Sequence, residues 1–247
     1  MINLPTLIGH RGVKNLAPEN TIQSIELAIQ LGLKWIEIDV KVSKDSVPFL
    51  LHDDNLDRTT TGIGCAANYM YQDIKKLDAG KFFYNKPTKI YPPKLKEVLC
   101  LCSDNNIGIN IELKSNLGFE KKNVEAVVNL LNTYKFQNPY YFSSFDWKSV
   151  YNIKKLLPNS FAGILIDQFN KNVNLYNIVH TCRKYDLFCC GFNEKIVTNE
   201  VLDLCKKNNI IVTVYSSKNI SMKKAKKLWK IGVDSIFIDD PSEFMLR

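Results

Sequence analysis

Apolar residues along this 247-residue chain alternate between two spacings. Short runs rich in Ile, Val, Leu and aromatic side chains predict strands at residues 6–10, 35–42, 108–114, 140–144, 161–166, 188–192, 210–215 and 235–239. Between most of them the apolar positions shift to the helical repeat. In the first such segment Ile22, Ile25 and Ile29 share one face, Asn20 is placed to cap its start, and Gly32 to end it. Further helices are expected at 95–105, 120–134, 147–157, 198–208 and 221–231. Eight strands alternating with helices read as a parallel sheet, and about 250 residues is the usual size of a closed eight-stranded α/β barrel. Residues 47–92 break the rhythm, where "VPFLLHD" leads into a turn-rich stretch through "RTTTGIG" and "KFFYNKPTKIYPP". That stretch is too long for an ordinary loop, and structured insertions on the loop face of a barrel commonly carry function.

The same pattern places charge. Along "WIEIDVKV", Glu37 and Asp39 face one way while Ile36, Ile38 and Val40 face the other. Helices cover the outside of a parallel barrel, so the two carboxylates are expected inside it, where an unpaired charge is costly. The third strand repeats the device in "NIELK", with Glu112 and Lys114 on one face. Three inward acids on adjacent strands make an oxygen-only cage, suited to a hard divalent ion (Mg²⁺, Ca²⁺ or Mn²⁺) rather than to Zn²⁺. His10 and His52 each end an apolar run and are expected at the C-terminal rim, where barrel active sites lie. Imidazoles titrate near neutral pH, so two of them beside such a cage can form an acid–base pair. Arg11 adds a planar, permanently charged donor matched to phosphate oxygens. This set suits a phosphoester, since the cations offset its charge and the histidines move protons. His180, in "NIVHTC", has no comparable surroundings and reads as structural.

Composition narrows the partners. The net charge of +8 comes from lysine, 29 of 33 basic residues, scattered along the chain rather than clustered with aromatics. A nucleic-acid reader would show a concentrated footprint and lean on arginine, so no nucleic-acid partner is expected. Seven cysteines occur without a CxxC spacing and are expected as buried free thiols, which points to the cytoplasm. The first residues lack a signal-peptide pattern, and no apolar run is long enough for a membrane span, so stable membrane insertion is not expected. In "SMKKAKKLWKIG", Met222, Ala225, Leu228 and Trp229 form a stripe that would face the barrel and leave the lysines in water. "GIGC" does not join a strand to a helix and is no dinucleotide fingerprint.

In order along the chain, "GHRG…APENT", "IEIDVKVSKDSVPFLLHDDNLDRTTTGIG", "NIELK", "SSFD" and "GVDSIFIDDPSEF" closely resemble the glycerophosphodiester phosphodiesterases. The resemblance implies one TIM-barrel domain over residues 1–247, with a small inserted subdomain at about 53–92 between the second and third barrel strands. It implies hydrolysis of glycerophosphodiesters, such as glycerophosphocholine or glycerophosphoethanolamine, to sn-glycerol 3-phosphate and an alcohol. By motif position Glu37, Asp39 and Glu112 would bind one divalent cation, and His10 and His52 would be general base and acid in an order left open. Arg11 would hold the phosphate and Lys114 add positive charge. A mechanism suggested for such enzymes has the glycerol 2-hydroxyl attack phosphorus, giving a cyclic phosphate that water opens. Many relatives carry a tryptophan near the end of the seventh strand, followed by a threonine and an asparagine; here the run is "VTVYSSKN". Tyr215 takes the aromatic place and is expected against the glycerol or the alcohol, with Lys218 or Asn219 near the asparagine position. Two rival readings stand beside this one. They are a related barrel phospholipase acting on lysophospholipids or sphingomyelin, and a non-catalytic barrel that binds phosphodiesters or a membrane surface.

Overall fold

In the computed structural model, which describes residues 2–245, all eight expected strands form and a ninth joins them. They are β1 (Leu7–Gly9), β2 (Trp35–Val42), β3 (Pro48–Leu50), β4 (Gly108–Leu113), β5 (Tyr140–Ser144), β6 (Ala162–Ile166), β7 (Cys189–Asn193), β8 (Ile211–Tyr215) and β9 (Ser235–Ile238). Eight of them are parallel neighbours, and β1 pairs with both β9 and β2, which closes the barrel. Of the 1–247 span, residues 1, 246 and 247 lie outside the described residues.

The extra strand is the run "VPFLL". It folds back antiparallel on the upper part of β2, with Val40 opposite Leu50 and Val42 opposite Pro48. The lower part of that same edge pairs with β1, Gly9 opposite Ile36. β1 therefore climbs and β3 descends along one edge of β2, and the residues that follow them, His10 and His52, approach each other. A backbone bond from Leu51 N–H to the Asp39 carbonyl (3.1 Å) holds the second of these in place.

The helices are α1 (Ile22–Gln30), α2 (Tyr71–Ile74), α3 (Lys81–Tyr84), α4 (Leu95–Asn105), α5 (Glu120–Tyr134), α6 (Trp147–Leu156), α7 (Leu175–Tyr185), α8 (Asn199–Lys207), α9 (Met222–Ile231) and α10 (Ser242–Met245). The outward-facing Ile36, Ile38, Val40, Ile109 and Ile111 are buried against the long helices, at about 1.5–3 kcal/mol for each fully buried aliphatic side chain. Inside the barrel, Ile8, Trp35, Tyr141, Cys189 and Phe237 fill the floor. Gly108 makes room there, since a Cβ at that position would lie 2.3 Å from the Trp35 ring.

Several local expectations change. The cap of α1 is Thr21, whose hydroxyl accepts from Ser24 N–H, and not Asn20, which takes a left-handed φ of 56° and turns its side chain elsewhere. Helix α7 adds to the expected helices and buries Ile178, Val179, Thr181 and Cys182, with Leu175 packed on the same core. Its His180 is exposed and stacks on Tyr176. All seven cysteines are free, but Cys65 and Cys100 are only half-buried. Helix α9 buries Ala225 and Leu228 and leaves its lysines exposed, as its pattern predicts.

Residues 51–94 carry α2, α3 and the short 3-10 turn Ala66–Asn68 around a small core of Phe49, Leu51, Leu56, Ala66, Tyr71 and Ile74. Lys41, fully buried at the top of β2, ties this segment to the barrel. Its Nζ donates to Asp54 and to the Lys114 carbonyl, each at 2.8 Å.

Candidate active site

At the C-terminal mouth, a cavity of about 220 Å³ is lined by His10, Arg11, Glu37, His52, Glu112, Lys114 and Tyr215 among others. Seven of the eight side chains singled out in the sequence thus share one space, and the eighth, Asp39, lies directly behind Arg11. The turn after β1 is shaped for this. Arg11 has φ 51°, which aims its backbone N–H at Glu37 Oε2 (3.0 Å). Gly12 follows at φ 82°, packed so closely on α1 that a Cβ would lie 2.4 Å from Ser24 Oγ.

Each rim histidine is anchored through Nδ1 to a carboxylate. His10 Nδ1 lies 2.6 Å from Asp239 Oδ1, and His52 Nδ1 lies 2.6 Å from Asp53 Oδ1. The N–H on Nδ1 donates to the acid and leaves Nε2 as the working nitrogen. Burial lowers the His10 pKa to about 4, against the raising pull of Asp239. Burial also lowers His52, with the Asp39 charge opposing it. The anchors are themselves held: Lys14 Nζ lies 3.3 Å from Asp239, and Arg58 forks onto Asp53 at 2.5 and 2.9 Å.

Between the histidines and the barrel floor, oxygens of Glu37, Asp39 and Glu112 all lie within 4.8 Å of one another. Burial, then the Asp39 and Glu112 charges, push Glu37 well above the usual carboxylate range. Burial pushes Asp39 up too, but Arg11 and then Lys114 hold it well below that range. Glu37 Oε1 is buried without a hydrogen-bond partner. A buried unpartnered carboxylate oxygen facing two further acids is the signature of a cation site, so the donor set fits a hard divalent ion.

The model of the glycerophosphoryl diester phosphodiesterase family matches residues 10–243. The chain belongs to this family. It is 32% identical over 235 residues to the glycerophosphodiester phosphodiesterase of Caldanaerobacter subterraneus, covering 95% of this chain and 94% of that one. To the Bacillus subtilis glycerophosphodiester phosphodiesterase it is 34% identical over 250 residues, covering 96% and 84%. A solved Oleispira antarctica phosphodiesterase, in complex with the product sn-glycerol-3-phosphate, superposes with a TM-score of 0.89 at 30% identity, covering 97% and 95%. As a family member the chain is a phosphodiester hydrolase on a TIM barrel. The glycerophosphodiester phosphodiesterases are generally dependent on a divalent metal, and here the acidic cluster could hold one.

Several residues of this phosphodiesterase site escape sequence reading. Asn20 brackets Asp39, its Nδ2 donating to Oδ2 (2.8 Å) and its Oδ1 accepting from Asp39 N–H (3.0 Å). Glu19 accepts from Arg11 Nη1 (2.8 Å), while Arg11 Nε lies 3.1 Å from Asp39 Oδ2 as an ion pair without a hydrogen bond. Asp239 stands at the end of β9, and that strand-end position was its available signal. Lys41 continues the inward series 37, 39, 41 and was legible by parity alone. Asn219, near the position where relatives carry asparagine, accepts from Asp239 and Asp240 N–H (3.1 and 3.0 Å) and so sets the loop behind His10. Lys218 is exposed.

On the far wall Tyr215 meets Phe145 edge-on, with ring centres 5.5 Å apart, and Lys114 Nζ lies 4.8 Å from the Phe145 centroid. Tyr215 OH donates to Asp167 or to the Ile166 carbonyl, each at 3.1 Å.

Proposed function

We propose that the chain hydrolyses glycerophosphodiesters to sn-glycerol 3-phosphate and an alcohol, with Glu37, Asp39 and Glu112 holding one Mg²⁺, Ca²⁺ or Mn²⁺ ion. The observation that carries this is the meeting of two carboxylate-anchored histidines above three converging buried acids in one cavity. When bound, the cation supplies charge to offset the phosphodiester and to favour ionisation of the attacking hydroxyl. His10, neutral and fixed on Asp239, receives at Nε2 the proton of the glycerol 2-hydroxyl as that oxygen bonds phosphorus. His52, flanked by Asp53 and Asp39, acts in its protonated form, which burial makes the minor one at neutral pH, and gives its Nε2 proton to the departing alcohol oxygen. Water then opens the cyclic phosphate with the two roles exchanged. Arg11 and Lys114 counter the phosphate charge from the walls. The segment at about 53–92 serves as an inserted subdomain of one catalytic domain, supplying Asp53 and Arg58, the anchors of His52, from one side.

The far wall bears on the alcohol. Asp167 follows β6, which stands opposite β1 in the ring of strands. It lines the cavity, accepts from Asn193 (2.8 Å) and Tyr215, and has no basic partner among the described residues. An unpaired carboxylate beside Phe145 and Tyr215 matches an amino alcohol such as choline or ethanolamine. A turnover panel of glycerophosphocholine, glycerophosphoethanolamine and glycerophosphoglycerol tests both levels. Hydrolysis of none of them overturns the reaction. Asp167→Asn keeps both acceptor contacts, and it is expected to lower kcat/KM for the two amino-alcohol diesters by roughly three- to tenfold while sparing glycerophosphoglycerol. Equal losses on all three would place Asp167 against the glycerol instead.

No helix among the described residues is long and apolar enough to cross a membrane. The free cysteines support a cytoplasmic location.

A further inference from the structure

The reaction leaves "KFFYNKPTK", residues 81–89, without a role. These residues form a knuckle on the inserted segment, and every one from 81 to 87 is exposed. Phe82, Phe83 and Tyr84 are 51%, 40% and 41% exposed, and α3 buries none of its side chains. Three adjacent aromatics in water are a standing cost unless something covers them. The neck below them is built to hold that exposure. Asp78 accepts from Gly80 N–H and Lys81 N–H (2.9 Å each) and from both the N–H and the hydroxyl of Thr88. Ala79 N–H donates to the Ile90 carbonyl (2.8 Å), which closes the base.

The knuckle stands beside the catalytic mouth. A second groove runs between them, lined by Phe82 and Phe83 on one side and Lys14, Glu19 and Arg58 on the other, and Lys14 also lines the catalytic cavity. Leu117, in the loop after β4, and Phe169, in the loop after β6, are exposed on the same end of the barrel.

Charge identifies the occupant. The knuckle carries Lys81, Lys86 and Lys89 and no acid, on a chain of net charge +8. A second copy would bring like charge against like charge. An anionic lipid surface instead takes the aromatic rings at its headgroup boundary and the ammonium groups among its phosphates. We propose that residues 81–89 dock the catalytic face on an anionic phospholipid bilayer surface. The association is peripheral and reversible, and it turns the active-site mouth toward the lipid headgroups.

Vesicle co-sedimentation of the full chain tests this apart from any turnover. The wild type is expected to bind vesicles of phosphatidylcholine mixed with phosphatidylglycerol, more weakly without phosphatidylglycerol and more weakly in high salt. Phe82→Ala with Phe83→Ala is expected to reduce apparent vesicle affinity by about tenfold or more. Replacing Lys81, Lys86 and Lys89 by Gln together is expected to reduce affinity for the anionic vesicles by about a hundredfold. None of these side chains is buried, so both variants keep the wild-type melting temperature. Failure of the wild type to sediment with anionic vesicles overturns the proposal, as does unchanged binding by the variants. A wild-type dimer in solution that is lost in the Phe82→Ala, Phe83→Ala variant also overturns it and assigns the face to a second copy.

Discussion

Alanine at His10 is expected to lower kcat by about 10²- to 10⁴-fold, and alanine at His52 to do the same with the natural alcohols as leaving groups. The two losses should separate when the leaving group needs no proton. With a p-nitrophenyl diester of glycerol phosphate, His52→Ala should recover most of its rate, because nitrophenolate departs unprotonated. His10→Ala should not recover, because the attacking hydroxyl must still lose its proton. The opposite pattern would exchange the two roles, and near-native rates in either variant would remove that histidine from the reaction. Asp239→Asn gives a related test. Its amide can donate to Nδ1, which moves the imidazole proton to Nε2 and blocks the base, so a loss of about 10²-fold or more is expected.

Chelation of divalent cations is expected to abolish turnover, and added Mg²⁺, Ca²⁺ or Mn²⁺ to restore it. A second readout does not depend on activity. Cation at about 100 times its Kd should stabilise the fold by about 2.7 kcal/mol, seen as a rise in melting temperature. Asp39→Asn, Glu37→Gln and Glu112→Gln should each weaken that response. The sign of the pH dependence follows from Glu37, which burial and its two acidic neighbours push well above the usual carboxylate range. Its proton must leave before it can bind a cation, so cation affinity should fall as pH is lowered through that raised value. Full turnover in excess EDTA, with no thermal response to any of the three ions, would exclude the site.

Much of this architecture was legible locally. A strand alternates its faces every residue, so the parity of Glu37, Asp39, Glu112 and Lys114 placed them inside as soon as the barrel was recognised from its alternating elements. Most outer helices followed from their apolar stripes; α7 carries one as well, in Leu175, Ile178, Val179 and Cys182, but was not among those expected. Polar residues in loops gave no such signal. Asn20 sits where a cap residue belongs, yet its side chain is spent on Asp39, and Thr21 caps the helix instead.

Periodicity along the sequence determined the strands, most of the helices and the inward acids, because those depend only on repeats of two or 3.6 residues. Tertiary structure decided who meets whom. Barrel closure brought Asp239 to His10 across 229 positions of chain. The return of β3 along the free edge of β2 delivered His52 beside Asp39. The closed neck at Asp78 decided that Phe82 and Phe83 stand in water rather than in a core. Such pairings depend on how distant segments pack around one core, and no local repeat encodes them.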